Sequence, residues 1–271
     1  MRFVLVSLAL LTGAAQADVR LFVFDCGSLH FDDVAGFGLT NDETPVREMF
    51  VPCYLIEHRG NGVERLLFDA GLPPGIVGRG SVELQPGVTM QYRRSLEDQL
   101  AELDLEPSDI DYVAFSHLHF DHVGSANVFT ASVQLIQAAE YRAGFVDRLE
   151  VYQPELFLGL AESPRRLLDG DHDVFGDGSV LLISAPGHTP GHQALLVKLE
   201  APGPVLLSGD LYHFRRSRDL RRVPVFNTDP EQTLASMDKV EALLEREGAT
   251  LWIEHDKALA DTLRRPPAYY E

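Results

Sequence analysis

The sequence is poor in cysteine and in basic residues, and each shortage excludes a class of protein. Cys26 and Cys53 are the only two cysteines among 271 residues, too few for a disulfide-dense scaffold or a zinc-finger cluster. Lysine and arginine number 23 against 41 aspartates and glutamates, which gives a net charge of −18. A surface this acidic repels phosphate backbones, so we expect no nucleic-acid partner.

Long apolar runs are also missing, and the short one at the N-terminus has the form of a leader. After a positive start, Phe3–Leu11 is largely apolar, and Ala15-Gln16-Ala17 has the A-x-A form of a cleavage site. This layout predicts a signal peptide over residues 1–17 and a single domain over residues 18–271. The apolar run is about half as long as a membrane-spanning helix. We therefore expect a periplasmic or secreted protein without a membrane span, cleaved near Ala17.

Export would place both cysteines in an oxidising compartment, where they can form a disulfide. Cys26 and Cys53 each lie at the edge of a predicted strand. Two buried thiols are the alternative, because the sequence does not give the Cα separation that a bridge requires.

Alternating strand and helix patterns predict a layered α/β architecture. A helix is predicted from Ser95 to Leu103 and another from Asp229 to about Glu247, each with a capping residue at its start. The segment from Asp25 to Phe50 is predicted to be a long loop whose aromatic residues pack on the protein. Short apolar runs bounded by glycine, proline and asparagine predict strands at residues 21–24, 51–57, 65–69, 111–115, 133–137, 180–184, 193–198, 204–207 and 250–253.

The densest group of metal-binding residue types follows the strand predicted at residues 111–115. Residues 116–122 read Ser-His-Leu-His-Phe-Asp-His. His117 and His119 point to the same side of an extended chain, because side chains alternate with a period of two. Asp121 and His122 follow where the chain has to turn, and they can face the same cavity from another side. Nitrogen and carboxylate donors from one rigid corner suit a pair of divalent metals.

Further residues of metal-binding type each follow a predicted strand: Asp69, His188, Asp210 and His255. Such side chains, recurring where strands meet loops, indicate a site built on one sheet edge. His192 is close to His188 in sequence, and we expect it to brace the turn rather than to bind metal.

With these motifs the chain resembles the metallo-β-lactamase superfamily, and the resemblance covers nearly the whole mature sequence, from Asp69 to His255. The resemblance implies an αβ/βα four-layer sandwich with a dinuclear site, in which Asp69 orients a ligand. It also implies two divalent metal ions, with zinc as the first choice and iron, manganese and cobalt left open. The implied ligands are His117, His119 and His188 for one metal, Asp121, His122 and His255 for the other, and Asp210 as the bridge.

Two features separate this chain from other branches of the superfamily. Metallo-β-lactamases usually carry Cys or Ser at the position of Asp210. Hydroxyacylglutathione hydrolases continue with a long helical segment after the last histidine, whereas 16 residues follow His255 here. The chain is most similar to the N-acyl-homoserine lactonase family. That similarity lies in Val-Pro-Cys-Tyr-Leu-Ile-Glu at 51–57, Phe-Asp-Ala-Gly-Leu-Pro at 68–73 and His-Thr-Pro-Gly-His-Gln at 188–193.

This similarity implies a metal-dependent hydrolase that opens the lactone ring of N-acyl-homoserine lactones, which is quorum quenching, with a metal-bridging hydroxide as the nucleophile. Asp121 would pass a proton to the leaving alkoxide, and Phe31 and Phe37 would contact the acyl chain. Tyr212 would hydrogen-bond the lactone carbonyl or form only a wall of the site. The family's tyrosine usually lies three residues after the aspartate, whereas Tyr212 lies two residues after Asp210.

Two alternatives stay open beside lactone hydrolysis. One is a secreted hydrolase of other esters, thioesters or β-lactams, which would use the same site. The other is a metal-binding protein without catalysis, although a site with an open water position suits catalysis better. The sequence also leaves open the acyl-chain length and whether the chain forms a homodimer.

Overall fold

Two β-sheets packed face to face determine the shape of the computed structural model, which describes residues 18–60 and 62–271. The predicted signal peptide, residues 1–17, lies outside the described residues. The larger sheet contains β1 (Asp18–Phe31), β2 (Glu48–Arg59), β3 (Val63–Phe68), β4 (Ser81–Gln85), β5 (Val88–Gln91), β6 (Tyr112–Ala114), β7 (Val133–Gln137) and β8 (Arg165–Leu168). The smaller sheet contains β9 (His172–Asp173), β10 (Val180–Ser184), β11 (Gln193–Val197), β12 (Val205–Leu207) and β13 (Thr250–Trp252).

The strand order places the ends of non-consecutive strands side by side. In the larger sheet the order is β4-β5-β1-β2-β3-β6-β7-β8, and β3, β6, β7 and β8 run parallel. In the smaller sheet the order is β13-β12-β11-β10-β9, with β12 and β13 parallel. Because parallel strands end at the same edge of a sheet, the loops that follow them come together there.

The α-helices are α1 (Leu96–Ala101), α2 (Phe120–Val123), α3 (Ala138–Tyr141), α4 (Arg215–Leu220), α5 (Pro230–Glu247) and α6 (Lys257–Ala260), with short 3-10 turns and a π-helical stretch at Arg142–Asp147. Helix α1 packs on the outer face of the larger sheet and α5 on that of the smaller one, whereas α6 contacts the apolar side chains between the sheets. Within the described part of the chain, no helix is long and apolar enough to cross a membrane.

Three clusters of buried apolar side chains hold the layers of the fold together. The cluster between the sheets joins side chains such as Ile56 and Phe68 of the larger sheet to Leu195 and Leu207 of the smaller one. A second cluster lies between the larger sheet, α1 and the neighbouring loops, and a third lies between the smaller sheet and α5. This arrangement of helices, sheet, sheet and helices confirms the predicted α/β four-layer sandwich.

Several predicted elements are confirmed at residue level. The strands at 133–137 and 180–184 have the predicted bounds. The long helix spans Pro230–Glu247, with Asp229 accepting a hydrogen bond from the Gln232 amide at its start and Gly248 ending it in the left-handed conformation. Ser95 likewise caps the shorter helix α1.

The prediction of one long loop from Asp25 to Phe50 is wrong at both ends. Strand β1 continues to Phe31 and β2 begins at Glu48, so the loop covers residues 32–47. A β-bulge between Asp25 and Ser28 interrupts the alternation of side chains, and beyond it β1 gains a new partner in β5. The alternation of side chains ends at the bulge, whereas strand β1 continues past it to Phe31.

Cys26 and Cys53 form a disulfide that links β1 to β2. Of the two alternatives that the sequence left open, the structure therefore has the bridge. Both side chains are fully buried, and they lie beneath the turn that carries Asp69, since the Leu72 amide donates to the Cys26 carbonyl at 3.2 Å.

Replacing both cysteines by alanine should lower the free energy of unfolding by about 3.5 kcal/mol at 25 °C, because the bridge closes a loop of 27 residues whose freedom the unfolded chain then regains. Chemical denaturation of the double variant and of the wild type measures the difference. As a control, alkylation of the unreduced wild-type protein should leave its mass unchanged. A mass gain of two alkyl groups would show that the two thiols are free.

Candidate metal centre

Seven side chains from both sheets converge at the edge where their strands end. The sequence 117–122 follows β6 of the larger sheet, whereas His188, Asp210 and His255 follow β10, β12 and β13 of the smaller one. The structure thus brings together all seven residues that the resemblance marked as metal ligands, although they span 139 positions between His117 and His255. The cluster therefore lies at the edge where the two sheets meet.

The first ligand group consists of His117, His119 and His188. The Nε2 atom of His117 lies 2.8 Å from Nδ1 of His119 and 3.2 Å from Nε2 of His188. The Nδ1 of His119 and the Nε2 of His188 are 3.1 Å apart. Three nitrogens therefore form a nearly equilateral triangle.

The second ligand group consists of Asp121, His122 and His255. The Oδ2 of Asp121 lies 3.6 Å from Nε2 of His122 and 3.8 Å from Nε2 of His255. Asp210 lies between the two groups. Its Oδ2 is 3.3 Å from Nε2 of His188, and its Oδ1 is 2.8 Å from Nε2 of His255. Each carboxylate oxygen of Asp210 therefore faces one group.

Hydrogen bonds on the outer side of the rings fix which nitrogen faces the centre. The Nδ1 of His122 lies 2.9 Å from the Asp69 carboxylate, and the Nδ1 of His255 lies 2.7 Å from the Phe50 carbonyl. The Nδ1 of His188 lies 2.9 Å from Oδ1 of Asn227. Because these oxygens only accept, Nδ1 carries the proton in each ring and the lone pair of Nε2 points inward.

This donor set fits divalent cations. Inward lone pairs about 3 Å apart repel each other unless a cation lies between them. Ligand atoms around one tetrahedral ion with bonds of about 2.0–2.1 Å lie roughly 3.3 Å apart, and the distances within the groups are close to this value. Imidazole nitrogens with a carboxylate at the centre are ligands that zinc and similar divalent metals accept.

Burial and mutual charge control the protonation of the cluster. Burial holds the pKa of His117 and His119 well below the ordinary value of histidine, and neighbouring imidazoles lower it further. Burial also raises the pKa of Asp210, but His213, His255 and His122 outweigh this and hold it well below its usual range. Burial also lowers the pKa of His122 and His255, but the carboxylates of Asp210 and Asp121 outweigh this and raise it above the ordinary value. A metal would therefore displace protons from these two rings, because only a neutral imidazole binds a metal.

The turn after β3 holds Asp69 in position to orient His122. Asp69 adopts a left-handed backbone conformation with φ of 61°, which costs a non-glycine residue about 1–3 kcal/mol. Its Oδ1 accepts from the Ser116 amide at 2.6 Å and its Oδ2 contacts His122. Two hydrogen bonds to the ligand-bearing segment thus keep the strained residue in place.

His192 braces its turn, as predicted. Its Nδ1 donates to the Ala185 carbonyl at 3.0 Å, and its Nε2 accepts from the Asp210 amide at 2.9 Å. Burial lowers the pKa of His192 to about 3, so that the ring stays neutral and Nε2 remains an acceptor. The imidazole therefore positions Asp210 through its backbone.

The structure does not place Tyr212 at the centre, and the predicted contact of its hydroxyl with a lactone carbonyl is wrong. Its hydroxyl donates to Oε1 of Glu241 on α5 at 2.8 Å, and its ring packs in the third apolar cluster. Tyr212 has extended backbone angles, so successive side chains point in opposite directions. The next residue, His213, therefore faces the centre instead.

His213 is the residue at the centre that the sequence reasoning missed. Its Nε2 lies 3.0 Å from Oδ2 of Asp210, and its ring is 5.3 Å from that of His188. The side chain is 3% exposed. His213 lies three residues after Asp210, which is the spacing at which the lactonase family usually has its tyrosine. This spacing could have identified His213 as a residue of the site.

Asn227 and Glu254 were also missed. Asn227 orients His188 and donates to Thr233 at 2.9 Å, which connects the ligand to the start of α5. Glu254 is buried beside Asp69 and His122, with Oε1 3.9 Å from Nδ1 of His122. Burial and the Asp69 carboxylate hold the pKa of Glu254 well above its usual range. Asn227 lies 39 positions from His188 and belongs to no motif. Glu254 directly precedes His255, but its contact with His122 exists only in the fold.

An aromatic wall lies beside the first ligand group. Phe37 packs on His213 with ring centroids 5.0 Å apart, and Phe31 meets Phe37 edge to face at 4.9 Å. Phe226, which the sequence analysis did not select, lies 5.5 Å from Phe37 and 5.9 Å from His188. Phe226 is 44% exposed and the neighbouring Val225 is 77% exposed. The wall is thus an apolar surface open to solvent at the edge of the site.

A known family model matches a large part of this chain. The family model described as the metallo-beta-lactamase superfamily matches residues 46–251, which includes β2 and extends into β13. The matched stretch contains the histidine cluster and Asp210.

Similar curated proteins carry one activity in their names. The N-acyl homoserine lactonase AttM of Rhizobium johnstonii is 30% identical over 94% of this chain and 100% of its own length. The N-acyl homoserine lactonase AiiA of Bacillus thuringiensis subsp. kurstaki is 30% identical over 83% of this chain and 90% of its own. Both alignments span most of each protein.

A similar solved structure holds a reaction product. An N-acyl homoserine lactone hydrolase with N-hexanoyl-L-homoserine bound at its catalytic metal centre superposes with a TM-score of 0.78. It is 26% identical to this chain, and the match covers 94% of this chain and 100% of that one.

Proposed function

Since this chain belongs to the metallo-β-lactamase superfamily, we propose that it hydrolyses the lactone ring of N-acyl homoserine lactones and that its two cations are zinc. One observation carries the proposal: the seven convergent side chains form two ligand groups that share Asp210. The AttM and AiiA lactonases, which match this chain over most of their own length, support the proposed substrate class. Two divalent cations held there would activate a water molecule as a nucleophile and polarise the lactone carbonyl.

The residues around the centre have separate tasks in this reaction. Asp121 is 6% exposed and belongs to the second ligand group, where its carboxylate could accept the proton released by the attacking water and pass it to the leaving alkoxide. Phe226 offers an exposed apolar surface beside the first ligand group, against which an acyl chain would exclude water. The buried Phe37 supports this surface and contacts Phe31 on its other side. Tyr212 has no task here, because its hydroxyl is engaged by Glu241.

A substrate panel on zinc-reconstituted protein tests the proposal. We expect acid release from N-acyl homoserine lactones to exceed turnover of a chromogenic β-lactam, a thioester and an aryl phosphodiester. Removal of metal by a chelator should stop the reaction, and added Zn²⁺ should restore it. Zinc-loaded protein that leaves a range of acyl-chain lengths intact would refute the substrate, and faster β-lactam or thioester turnover would favour the broader hydrolase.

Export to the periplasm or the medium is proposed from the leader sequence. The disulfide between Cys26 and Cys53 supports it, because disulfides persist in oxidising compartments. Fractionation of cells that express the full chain, with N-terminal sequencing, should find mature protein outside the cytoplasm that begins near Asp18. Uncleaved protein in the cytoplasm would contradict this. Homodimer formation stays a prediction that sedimentation measurements would test.

A further inference from the structure

We propose that Glu140 is a positioning residue for the first ligand group, because its carboxylate ties together the two loops that carry His117, His119 and His188. The inference rests on the proposed function only in treating the cluster as a metal centre. It concerns how the protein holds one of the two cations and not which substrate is cleaved.

Glu140 lies in α3, directly after β7, and is 1% exposed. Three donors converge on its carboxylate. The Leu118 amide donates to Oε1 at 3.0 Å, the Tyr152 hydroxyl donates to the same oxygen at 2.8 Å, and the Gly191 amide donates to Oε2 at 2.8 Å. The mechanism described above gives this buried acid no other task.

The two backbone donors belong to the loops of the first ligand group. Leu118 separates His117 from His119 after β6 of the larger sheet, and Gly191 lies three residues after His188, beyond β10 of the smaller sheet. A Cβ atom on Gly191 would lie 2.4 Å from the Glu140 amide nitrogen, so the glycine allows the loop to approach α3. One carboxylate thereby fixes the distance between two ligand loops from different sheets.

His119 depends on this arrangement more than the other ligands do. His117, His122, His188 and His255 each have an outer hydrogen-bond partner. Within residues 18–60 and 62–271, the buried Nε2 of His119 meets no partner. The direction of this ring is therefore set by its backbone, which Glu140 holds through Leu118, and by the Tyr152 ring at 5.9 Å.

The chemistry of the three contacts requires a carboxylate. All three partners donate, so both oxygens of Glu140 have to accept. A carboxamide of the same size has one acceptor oxygen and one NH₂ group, and the NH₂ would face either the Gly191 amide or the Leu118 amide and the Tyr152 hydroxyl. Glu140→Gln therefore keeps the volume of the side chain but separates the two loops.

A titration of metal-free protein with Zn²⁺ tests the proposal by reading each ligand group separately. The ring nitrogen NMR shifts of His117 and His188 report the first cation, and those of His122 and His255 report the second. In Glu140→Gln we expect the first cation to bind about 10–100-fold more weakly, as is typical when an outer partner of a ligand is lost. The second cation should bind as in the wild type.

Two further variants keep the test decisive if Glu140→Gln folds poorly. Tyr152→Phe removes one donor. Because one hydrogen bond contributes roughly 1 kcal/mol, the affinity for the first cation should fall about fivefold. Glu57→Gln is the matched control, because Glu57 is a buried glutamate on β2 that pairs with Arg65 at 3.0 Å, away from the ligand loops. Its titration should match that of the wild type at both groups.

Unchanged binding of the first cation in Glu140→Gln and Tyr152→Phe would overturn the proposal. Equal weakening of both cations would also overturn it, because a general loss of structure does not select one ligand group. The readout uses no lactone. Selective weakening in a protein that cleaves no lactone would therefore keep the role of Glu140 and refute the substrate.

Discussion

Replacing Asp210 by alanine should remove most of the hydrolytic activity together with bound metal. Asp210 is the only member of the cluster whose two oxygens face different ligand groups, at 3.3 Å from His188 and 2.8 Å from His255. Charge stabilisation by bound cations supplies several kcal/mol, and each 1.36 kcal/mol is a factor of ten in rate, so we expect a loss of at least about 10³-fold in kcat/KM. Lactone hydrolysis and metal analysis of the same samples measure both effects.

The control for this variant is Asp238→Ala, which removes an exposed aspartate on α5 that pairs with Arg221. It should retain two metals per chain and the wild-type rate. An Asp210→Ala protein that keeps both metals and its activity would show that the carboxylate does not bridge the two ligand groups.

Replacing Gly124 by alanine should cause a large loss of stability, although it adds only one methyl group. Gly124 follows α2, and its amide donates to the Gly71 carbonyl at 2.8 Å. An added Cβ would lie 2.1 Å from the Leu72 carbonyl carbon and 2.3 Å from the Pro73 nitrogen. These are backbone atoms of the Asp69 turn, which cannot rotate away as a side chain can.

We expect Gly124→Ala to lower the free energy of unfolding by about 3 kcal/mol, at the upper end for overpacking, and the melting midpoint by about 10 °C for a protein of this size. Calorimetry or denaturant titration measures this. Gly75→Ala is the control, because a Cβ at Gly75 would have no neighbouring atom within 4 Å among residues 18–60 and 62–271, and the stability of this variant should be nearly unchanged. If Gly124→Ala had the melting midpoint of the wild type, the Asp69 turn would be able to move away from the added methyl group, and the prediction would be wrong.

The sequence predicted elements whose signals are local. The helix at Pro230–Glu247 has its start signal in Asp229 and its end signal in Gly248, both within one turn of the helix. Buried strands such as Val133–Gln137 are short apolar runs. The hairpin of β4 and β5 was not predicted, although Ser-Val-Glu-Leu-Gln and Val-Thr-Met-Gln alternate polar and apolar residues, because each run is only four or five residues long and β4 is mostly exposed.

The same distinction, between features with a local sequence signal and features without one, applies to the metal centre. The ligands were found because four of them occur within residues 117–122 and the others follow predicted strands. Glu140 and Asn227 act on ligands at least 20 positions away in sequence, across contacts that exist only after the sheets have packed. Tyr212 was predicted from its similarity to the lactonase tyrosine, but the sequence after Asp210 does not show which side of an extended chain faces inward.

The ligands alternate between the two halves of the sandwich, and this has a consequence for heat resistance. An ion held by His117 from one sheet and His188 from the other stabilises only the closed arrangement of the sheets. Any species that binds the folded chain alone shifts unfolding by mass action. The temperature at which the sandwich opens will therefore follow the free-ion level of the surrounding medium, so that one batch of protein melts at different points in different buffers.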